Sequence, residues 1–438
     1  MQIAELHNRF LQSTGLTTDT RAIAQGNIFF ALKGEKFNAN RFAAEAFAKG
    51  AKYVVVDELI NPDWQNEFGD GLILVSNTLQ ILQQLAGYHR QQLKCPVLAI
   101  TGSNGKTTTK ELVAAVLSKK YVTYATKGNL NNQIGIPLTL LAIKDDVQFA
   151  VIEMGANHQL EIASYCQYTA PNYGLITNVG HAHLEGFGGF EGVVKGKTEL
   201  YQYLAKNNGK VFVNADNPIL FAKLLTQITD TNAVISYGTA EGVFCRAEKT
   251  DTGGFLSLSV LDNHHSVSIS TNLVGAYNFE NVLSAICIGK YFGVPMAQIK
   301  EAIENYTPAN NRSQKLSFGS NIIIADAYNA NPSSLNAALK NFEAMQGSHK
   351  MVIIGEMMEL GEYAAEEHRK IAGQVAAMAL QYRVFVGDGF SFLKNNNAVL
   401  WFPDSTAVKQ WLQQLKPEHF HILIKGSRKN ALEKIWQD

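Results

Sequence analysis

The amino-acid sequence predicts an α/β protein of three domains, and three observations support this prediction. The chain has 438 residues, enough for two to four domains of about 100 to 200 residues each. Short apolar runs alternate with helix-like segments along most of the chain. Hydrophobic residues make up 46% and charged residues 17%, a balance typical of a well-buried globular enzyme and not of a disordered or fibrous protein.

Residues 1–85 are predicted to form a small N-terminal α/β domain. Apolar runs such as NIFFAL and AKYVVV have the length of buried strands, and turns rich in Gly and Asn separate them. A polar helix, QQLAGYHRQQLK, then leads to Pro96 and the next stretch.

Residues 86–313 are predicted to form a central domain with a mostly parallel sheet. The runs PVLAI, FAVIEM, YGLITNV and KVFVNAD indicate buried strands, with helix-like segments between them. Residues 232–272 break this rhythm, because VISYG, VFCRAEKT, FLSLSVL and HSVSIS alternate apolar and polar residues. We expect antiparallel hairpins there. A helix that contains Asn278, Asn281 and Ala285 is expected to close the domain.

Residues 314–438 are predicted to form a Rossmann-like C-terminal domain. Four apolar strands, IIIADAYN, MVIIGEM, RVFVGD and HILIKGS, alternate with helices rich in Ala, Leu and Glu. The strands end at Asp326, Glu356, Asp388 and Lys425. Because open α/β sheets bind ligands beyond the carboxyl ends of their strands, we expect this domain to face a ligand too.

Charge and cysteine placement limit the possible partners and the location of the protein. The 38 Lys and Arg residues balance 38 Asp and Glu residues, so there is no general positive field for nucleic acid or anionic lipid. The cysteines, Cys95, Cys166, Cys245 and Cys287, lack the spacing of a zinc site. No run of about 18 apolar residues and no signal-peptide pattern is found, so we expect a cytoplasmic protein without membrane insertion.

The segment TGSNGKT, residues 101–107, has the ending of a phosphate loop and lies between a predicted strand and a predicted helix. Backbone N–H groups at such a helix start can hold a triphosphate, Lys106 can reach its outer phosphates, and the Thr107 hydroxyl can ligate Mg²⁺. Ile100 stands where the common pattern has Gly, and a chance glycine turn is the alternative interpretation. The candidate nucleotide-binding residues here are Gly102, Ser103, Asn104, Gly105, Lys106, Thr107 and Thr108.

Two further places suggest a metal site. Glu153 ends the strand FAVIEM, where its carboxylate can serve as a hard-oxygen ligand for Mg²⁺ or be an ordinary strand-end acid. His181 and His183 follow the strand YGLITNV and precede a glycine-rich turn. Because Mg²⁺ prefers oxygen ligands, the residues alone leave the role of these histidines open.

Four motifs in order resemble those of the Mur ligase family: TGSNGKTTTKE, EMGAN, HAHLEGFG and VVKGKTELY. The resemblance implies an ATP-dependent, amide-forming ligase of peptidoglycan precursor synthesis that uses two Mg²⁺ ions. It implies metal ligands at Thr107, Glu153, His183 and Lys197, with Lys197 carbamylated by CO₂ into an oxygen-rich anion. A lysine left as a cation would repel the metal, and Lys195 is a neighbouring competitor for this role.

The resemblance also implies contacts with the nucleotide. GAYNFENVLSA is similar to the family's GxHNxxN helix, which places Asn278 and Asn281 on the adenine side, although Tyr277 replaces the usual His. Arg312 in NNRSQ matches a linker arginine that reaches the γ-phosphate. Asp326 matches an acid near the ribose, and Tyr328 and Asn329 lie beside it in the sequence. The catalytic residues implied are Lys106, His183, Lys197 and Arg312.

Within the family, the motifs are most similar to those of the branch that adds D-alanyl-D-alanine to UDP-N-acetylmuramoyl-tripeptide. They include GNLNNQIGIPLTLL, YNANPSS, GEMMELGE followed by His368, and KGSRKNALE. The N-terminal domain would then bind the uridine diphosphate. Residues implied to contact the UDP-sugar peptide are Thr20, Arg21, Lys36, Asn131, Asn132 and Gln133. From the residues alone, Thr18–Arg21 suits either a diphosphate or an Asx turn that caps a helix.

The expected mechanism activates the tripeptide carboxylate as an acyl phosphate, which the dipeptide amine then attacks. We expect a monomer. The alternatives are a sister ligase that adds diaminopimelate or lysine, a folylpolyglutamate synthetase, a phosphate-loop kinase and a scaffold that has lost its chemistry. Whether the third residue of the tripeptide is diaminopimelate or lysine stays open.

Overall fold

The computed structural model describes residues 2–250, 255–263, 265–308 and 312–436, and it confirms the predicted α/β class. The first strands are β1 Leu16–Thr17, β2 Ile28–Phe30, β3 Lys33–Gly34, β4 Phe37–Asn38, β5 Tyr53–Val56 and β6 Leu72–Leu74. Next come β7 Val97–Thr101, β8 Thr123–Ala125, β9 Phe149–Glu153, β10 Tyr173–Ile176, β11 Lys210–Asn214, β12 Val234–Gly238, β13 Cys245–Thr250, β14 Phe255–Asp262 and β15 His265–Val274. The last are β16 Gln314–Phe318, β17 Asn321–Asp326, β18 Lys350–Gly355, β19 Tyr382–Val386, β20 Leu400–Phe402 and β21 His421–Lys425.

The α-helices alternate with these strands. They are α1 Ile3–Leu11, α2 Ala43–Ala48, α3 Trp64–Phe68, α4 Thr78–Gln92, α5 Lys106–Leu117, α6 Gly135–Leu141, α7 Glu161–Thr169, α8 Leu184–Phe187, α9 Phe190–Lys206, α10 Pro218–Leu225, α11 Phe279–Tyr291, α12 Met296–Asn305, α13 Pro332–Ala344, α14 Ala364–Ala377 and α15 Ser405–Leu415. Short 3₁₀ helices include Thr20–Ala22, Ala276–Asn278, Gly361–Tyr363 and Arg428–Asn430. Across the described ranges, no helix is both long and apolar enough to span a membrane.

The chain divides into two compact units. The first comprises residues 1–99, 121–155 and 161–173. Its parallel sheet has the strand order β1-β2-β5-β6, and a second group has the order β7-β9-β8. The apolar runs NIFFAL and AKYVVV supply β2 and β5, whose fully buried Phe29, Val54 and Val56 pack in one hydrophobic cluster. This confirms the predicted N-terminal α/β fold.

The second unit comprises residues 100–120, 156–160 and 174–438. One group of its strands has the order β10-β11-β12-β13-β14-β15, and another sheet has the order β16-β17-β21-β18-β19-β20. In the second sheet all described strand pairs are parallel except the antiparallel pair β16–β17. The carboxyl ends of β17, β18 and β21 therefore lie along one edge, as the predicted Rossmann-like arrangement requires.

Three details of the prediction were wrong. VISYG forms β12, which pairs in parallel with β11 and β13. Helix α10 provides the crossover between β11 and β12 that returns the chain in the same direction. Among the strands from β12 to β15, the antiparallel pairs are β13–β14 and β14–β15. The C-terminal sheet also contains β16 and β20, which sequence reading missed because one is largely exposed and the other has three residues. A further helix, α12, follows the one that contains Asn281.

Candidate active site

The predicted phosphate loop connects β7 to α5. Gly105 precedes the helix with φ of 78°, a left-handed conformation that favours glycine, and an added Cβ would overlap the side-chain oxygen of Asn281. The Lys106 ammonium turns back over the loop and donates to the carbonyl oxygens of Gly102 at 2.7 Å and Ser103 at 3.2 Å. The loop thus combines a helix N-terminus with a cation across its mouth, an arrangement that suits a polyphosphate.

Residues that follow β10 hold this loop in place. The Asn178 backbone oxygen accepts from the Ser103 N–H at 3.0 Å, and the Asn178 side chain accepts from the Asn104 N–H at 3.0 Å. The Thr177 hydroxyl donates to the Asn104 carbonyl at 2.6 Å. Neither Thr177 nor Asn178 was among the residues predicted from the sequence. The signal available was their position at the carboxyl end of a buried strand, where ligand-binding groups of α/β sheets collect.

The two asparagines predicted on the adenine side lie beneath the phosphate loop. Asn281 accepts from the Thr109 hydroxyl at 3.1 Å and donates to the Asn278 side-chain oxygen at 2.9 Å. Asn278 in turn donates to the Val274 carbonyl at 2.8 Å. Both asparagines are buried, so they brace α5 and the loop. Thr107 and Thr108 lie in the first turn of that helix and are also buried.

His183 and Glu359 face each other at short range. The distance from His183 Nδ1 to a Glu359 carboxylate oxygen is 2.5 Å. Both residues have left-handed backbones, with φ of 53° at His183 and 61° at Glu359. This close approach of the imidazole lowers the pKa of Glu359, although partial burial opposes the shift. His181, the other histidine of the motif, donates its backbone N–H to the Ser333 hydroxyl at 2.9 Å.

The structure separates the two candidate lysines. Lys197 on α9 is 1% exposed, and its ammonium donates to the Ala156 carbonyl at 3.1 Å. The same nitrogen lies 5.0 Å from the centre of the Phe187 ring. Lys195 is exposed. A buried amine beside a carbonyl and an aromatic ring is the better candidate for a modified lysine, because burial disfavours the charged ammonium form that cannot react with CO₂.

Glu153 ends β9 in the first unit and is 1% exposed. The Asn131 amide donates to its carboxylate at 2.7 Å, and the Thr126 hydroxyl accepts from its backbone N–H at 2.9 Å. Asn132 is an exposed residue whose side chain accepts from the N–H groups of Ile134 and Gly135, so it stabilises the start of α6. Gln133 is exposed. Of the three predicted sugar-peptide contacts, Asn131 is the one joined to a predicted metal ligand.

The N-terminal candidates lie on short, exposed segments. The Asp19 carboxylate accepts from the Arg21 N–H at 2.9 Å and pairs with its guanidinium at 2.7 Å, which lowers the pKa of Asp19 to about 2. This is the helix-capping Asx turn considered above, and it precedes the 3₁₀ helix that starts at Thr20. The Arg21 side chain remains 87% exposed. Lys36 is exposed in the turn between β3 and β4.

Arg312 lies at the start of the C-terminal sheet, while Asn310 and Asn311 before it lie outside the described residues. Its guanidinium carbon is 3.7 Å from the centre of the Tyr328 ring, and that of Arg428 is 5.3 Å from the same ring. The neighbouring Ser313 hydroxyl bonds with the Tyr277 hydroxyl at 2.7 Å. Tyr277, which departs from the family's His, therefore contacts the linker.

Asp326 and Asn329 share one cation at the carboxyl end of β17. The Lys425 ammonium lies 2.6 Å from the Asp326 carboxylate and donates to the Asn329 carbonyl at 3.2 Å. The lysine side chain is 2% exposed and that of the aspartate 15%. The predicted ribose-binding acid is thus already charge-compensated within the protein.

The segment YNANPSS connects this sheet to the phosphate loop. Asn331 caps α13 and donates from its side-chain amide to the Asn104 side-chain oxygen at 2.8 Å. Ser333, two residues later, accepts from the His181 N–H. From the sequence, this segment indicated a branch of the family, and among its residues Tyr328 and Asn329, but not Asn331 or Ser333, were predicted to belong to the site. Asn331 and Ser333 are therefore additional residues of the site.

Family comparisons agree with this geometry. The Mur ligase middle domain model matches residues 100–289, and the model described as Mur ligase, glutamate ligase domain, matches residues 311–428. The UDP-N-acetylmuramoyl-tripeptide--D-alanyl-D-alanine ligase of Escherichia coli is 34% identical over 98% of this chain and 94% of its own. The chain belongs to the Mur ligase family. This confirms the predicted family.

Solved structures agree with the predicted three-domain α/β fold of this Mur ligase. The crystal structure of MurF from Acinetobacter baumannii aligns with a TM-score of 0.86 and 28% identity, covering 99% of this chain and 97% of that one. The MurF ligase of Thermotoga maritima, solved in complex with ADP, aligns with a TM-score of 0.84 over 97% and 96% of the two chains. At 23% identity the latter supports the fold alone.

The donor atoms of this Mur ligase suit Mg²⁺ on one condition. Within the described ranges, no three His, Cys, Asp or Glu side chains are placed to hold a metal ion by themselves. The Thr107 hydroxyl and the Glu153 carboxylate are hard oxygen donors, which Mg²⁺ prefers, whereas an unmodified Lys197 ammonium would repel it. Lys197 itself suits the ion only as a carbamate.

Proposed function

We propose that this Mur ligase joins D-alanyl-D-alanine to the terminal carboxylate of UDP-N-acetylmuramoyl-tripeptide, with conversion of ATP to ADP and phosphate. The product serves peptidoglycan precursor synthesis, and we place the reaction in the cytoplasm, where ATP is available. The observation that carries the proposal is the phosphate loop. Asn104 and Lys106 are braced there by polar contacts, one of them from the YNANPSS segment, in a chain similar to D-alanyl-D-alanine ligases over nearly its whole length.

The first chemical step activates the carboxylate. A carboxylate oxygen of the tripeptide attacks the γ-phosphorus of ATP, the bond from that phosphorus to the β-phosphate oxygen breaks, and ADP leaves. The product is an acyl phosphate. We assign Lys106 and Arg312 to the stabilisation of charge on the transferred phosphoryl group, because fixed cations act strongly where water is excluded.

The second step forms the amide. The amine nitrogen of D-alanyl-D-alanine attacks the acyl carbon, a tetrahedral intermediate forms, and phosphate leaves with the former carboxylate oxygen. The nitrogen loses a proton as the amide is completed. No nucleophilic side chain is required, so the chain's own work is to bind the three substrates, orient them and keep water from the acyl phosphate.

We further propose that Lys197 is carbamylated and that Thr107, Glu153, His183 and Lys197 hold two Mg²⁺ ions. When bound, these ions would neutralise phosphate charge and orient the reacting oxygens. The burial of Lys197, against the exposure of Lys195, supports the choice of lysine. The carbamate forms when the neutral amine attacks CO₂ and loses a proton, which replaces a cation by an anion.

The remaining assignments concern substrate contacts. We propose that Gly102–Thr108 hold the ATP phosphates and that Asp326, Tyr328 and Asn329 line the ribose side, with Asn278 and Asn281 toward the base. Thr20, Arg21 and Lys36 are proposed to bind the uridine diphosphate, and Asn131, Asn132 and Gln133 the muramoyl-peptide. The exposed Arg21 guanidinium supports the first of these two groups, because a guanidinium suits paired phosphate oxygens. Three domains are proposed, with boundaries near residues 85 and 313.

Phosphate release from ATP tests this function. The purified chain is given Mg²⁺, ATP and UDP-N-acetylmuramoyl-tripeptide, with and without D-alanyl-D-alanine, and the product is weighed by mass spectrometry. We expect release to require both substrates and the product mass to equal tripeptide plus dipeptide minus water. A parallel reaction supplies UDP-N-acetylmuramoyl-dipeptide with diaminopimelate or lysine, and amide formation there, with none from the tripeptide and D-alanyl-D-alanine, would identify a sister ligase. Release that ignores the dipeptide would contradict the proposal and favour a kinase or a nucleotide-binding protein.

A further inference from the structure

We propose that Glu359 is a positioning residue for His183, and that through this contact the C-terminal domain helps to order the metal site. The inference rests on the proposed role of His183 as a metal ligand. The 2.5 Å approach joins residues of two different domains, since His183 follows β10 and Glu359 follows β18. From the sequence, the motif GEMMELGE indicated only a branch of the family.

The backbone conformations of His183 and Glu359 support a functional role for their contact. His183 and Glu359 are non-glycine residues in left-handed conformations, with φ of 53° and 61°. Such conformations cost free energy and persist where the surrounding structure imposes them, most often at functional sites. Here two of them bring an imidazole and a carboxylate together.

The neighbouring residues keep the two segments in contact. A Cβ added at Gly361 would lie 3.1 Å from the Cβ of Glu185, and one at Gly189 would lie 3.5 Å from the Tyr363 hydroxyl. Segment 359–363 therefore packs closely against segment 183–189. The approach of Glu359 to His183 is part of this larger packed surface.

A buried histidine braces the Glu359 segment from behind. His368 accepts from the Met357 N–H at 3.0 Å through Nε2, and its Nδ1 lies 2.6 Å from the Ala364 carbonyl. It is 2% exposed and packs against Phe390. Its contacts fix the backbone two residues before Glu359, so the carboxylate is presented from a rigid segment.

The chemistry of an imidazole beside a carboxylate explains how Glu359 would orient His183 for metal binding. A neutral imidazole has one N–H donor and one lone pair, and the partner of the donor nitrogen decides which nitrogen is free to bind a metal. If Nδ1–H donates to Glu359, Nε2 keeps its lone pair and the ring is held in one orientation. Carboxylates behind metal-bound histidines commonly act in this way, and their loss typically weakens metal binding by about 10- to 100-fold.

Mn²⁺ binding tests the proposal without requiring ligation. The full chain with ADP is titrated with Mn²⁺, and free Mn²⁺ is measured by electron paramagnetic resonance. We expect Glu359→Ala to weaken Mn²⁺ binding by about 10-fold or more, and Glu359→Gln to weaken it less because an amide oxygen still accepts. The matched control is Glu362→Ala, an exposed acid on the adjoining 3₁₀ helix, which should stay within about twofold of wild type.

A double-mutant cycle separates positioning from other roles. In a His183→Ala background, Glu359→Ala should cause no further loss of Mn²⁺ affinity, because the residue acts through His183. Additive losses would show that Glu359 binds the metal by itself and would overturn the proposal, as would a Glu359→Ala affinity within about twofold of wild type. Glu359→Gln carries the same test if the alanine variant fails to fold.

The outcome is distinguishable from failure of the proposed function. If the wild-type chain binds Mn²⁺ with the expected dependence on Glu359 but releases no phosphate in response to the dipeptide, the positioning role stands and the substrate assignment falls. If the wild-type chain binds no Mn²⁺ in the presence of ADP, the positioning role is overturned whatever the ligation assay shows.

Discussion

Lys195 and Lys197 are two residues apart on α9, yet the first is exposed and the second is 1% exposed and donates to the Ala156 carbonyl. The geometry of a helix places residues two positions apart on different faces. Lys195 therefore faces solvent, and Lys197 faces the protein interior. This difference gives the proposed carbamate a specific test.

Lys197→Ala should abolish most of the dipeptide-dependent phosphate release. Removal of a carbamate that holds charge-stabilising metal is expected to lower the rate by about 100-fold or more. Short carboxylic acids, which replace the missing oxygens, should restore part of it. The measurement is phosphate release at saturating substrates. Lys195→Ala is the control and should keep nearly the wild-type rate, and a fully active Lys197→Ala would exclude the carbamate.

Gly105→Ala should disrupt the phosphate loop. Its φ of 78° is unfavourable for alanine, and the new Cβ would overlap the Asn281 side chain. We expect a loss of about 1 to 3 kcal/mol in the free energy of unfolding and a clear loss of ATP binding, measured by denaturant titration and calorimetry.

The matched control for this change is Gly242→Ala. Gly242 has a φ of 82°, nearly the same as Gly105, but an added Cβ there would have no atom within 4 Å. Gly242→Ala therefore measures the free-energy cost of the left-handed backbone conformation without the cost of an overlapping side chain. ATP affinity should be unchanged in this variant. Equal ATP affinity in the two variants would contradict the role given to Gly105.

Tyr277→Phe should loosen the contact with the linker. The change removes the hydroxyl that bonds with Ser313 at 2.7 Å and leaves the ring. We expect the free energy of unfolding to fall by about 1 kcal/mol. Ser313→Ala should have a similar effect, and the double variant should lose little more than either single variant, because both remove one bond. Fully additive losses would show that the two hydroxyls act separately.

Acidification should destabilise the first unit through His7, whose ring bonds with that of His89. His89 Nε2 bonds with the Ile143 carbonyl at 3.0 Å as a donor, so its Nδ1 accepts from His7 Nε2, also at 3.0 Å. Protonation of His7 would leave this hydrogen bond in place but would put a positive charge on a buried ring beside His89. Burial, and then repulsion from His89, lower the pKa of His7 below 6.5.

The lowered pKa of His7 determines how the free energy of unfolding changes with pH. The unfolded chain takes up a proton near pH 6.5 and the folded chain only at lower pH, so the stabilisation is present above about pH 6.5 and falls below it. The loss is about 1.4 kcal/mol for each unit of difference between the two pKa values. Melting curves from about pH 8 to about pH 5.5 should show a smaller loss in His7→Gln than in wild type. The exposed His265→Gln should keep the wild-type dependence, and identical curves for His7→Gln would contradict the account.

Local patterns predicted the parts of the site that one stretch of chain provides. The strand–loop–helix around Lys106 and the strand end at Glu153 were correctly placed, because buried apolar strands and a glycine turn are local signals. The strand order, and the parallel pairing of β12, depend on contacts between distant segments, which periodicity alone does not encode.

Long-range contacts also explain the residues that sequence analysis missed. Asn178 and Asn331 bond with the phosphate loop from 74 and 227 positions away along the chain. Glu359 approaches His183 from a distant part of the chain. Asparagine and glutamate residues that follow a strand or cap a helix occur throughout the sequence, so residue type alone does not identify these three. What distinguishes them is proximity in the fold.

An oxygen-transfer measurement tests the central claim, that the chain activates the tripeptide carboxylate as an acyl phosphate. The carboxylate of UDP-N-acetylmuramoyl-tripeptide is labelled with ¹⁸O, and the phosphate released with ATP and D-alanyl-D-alanine is weighed. The account predicts one ¹⁸O atom in the phosphate for each amide formed, because the carboxylate oxygen bonded to phosphorus leaves with it. Unlabelled phosphate would mean that water attacked ATP, and it would contradict the account.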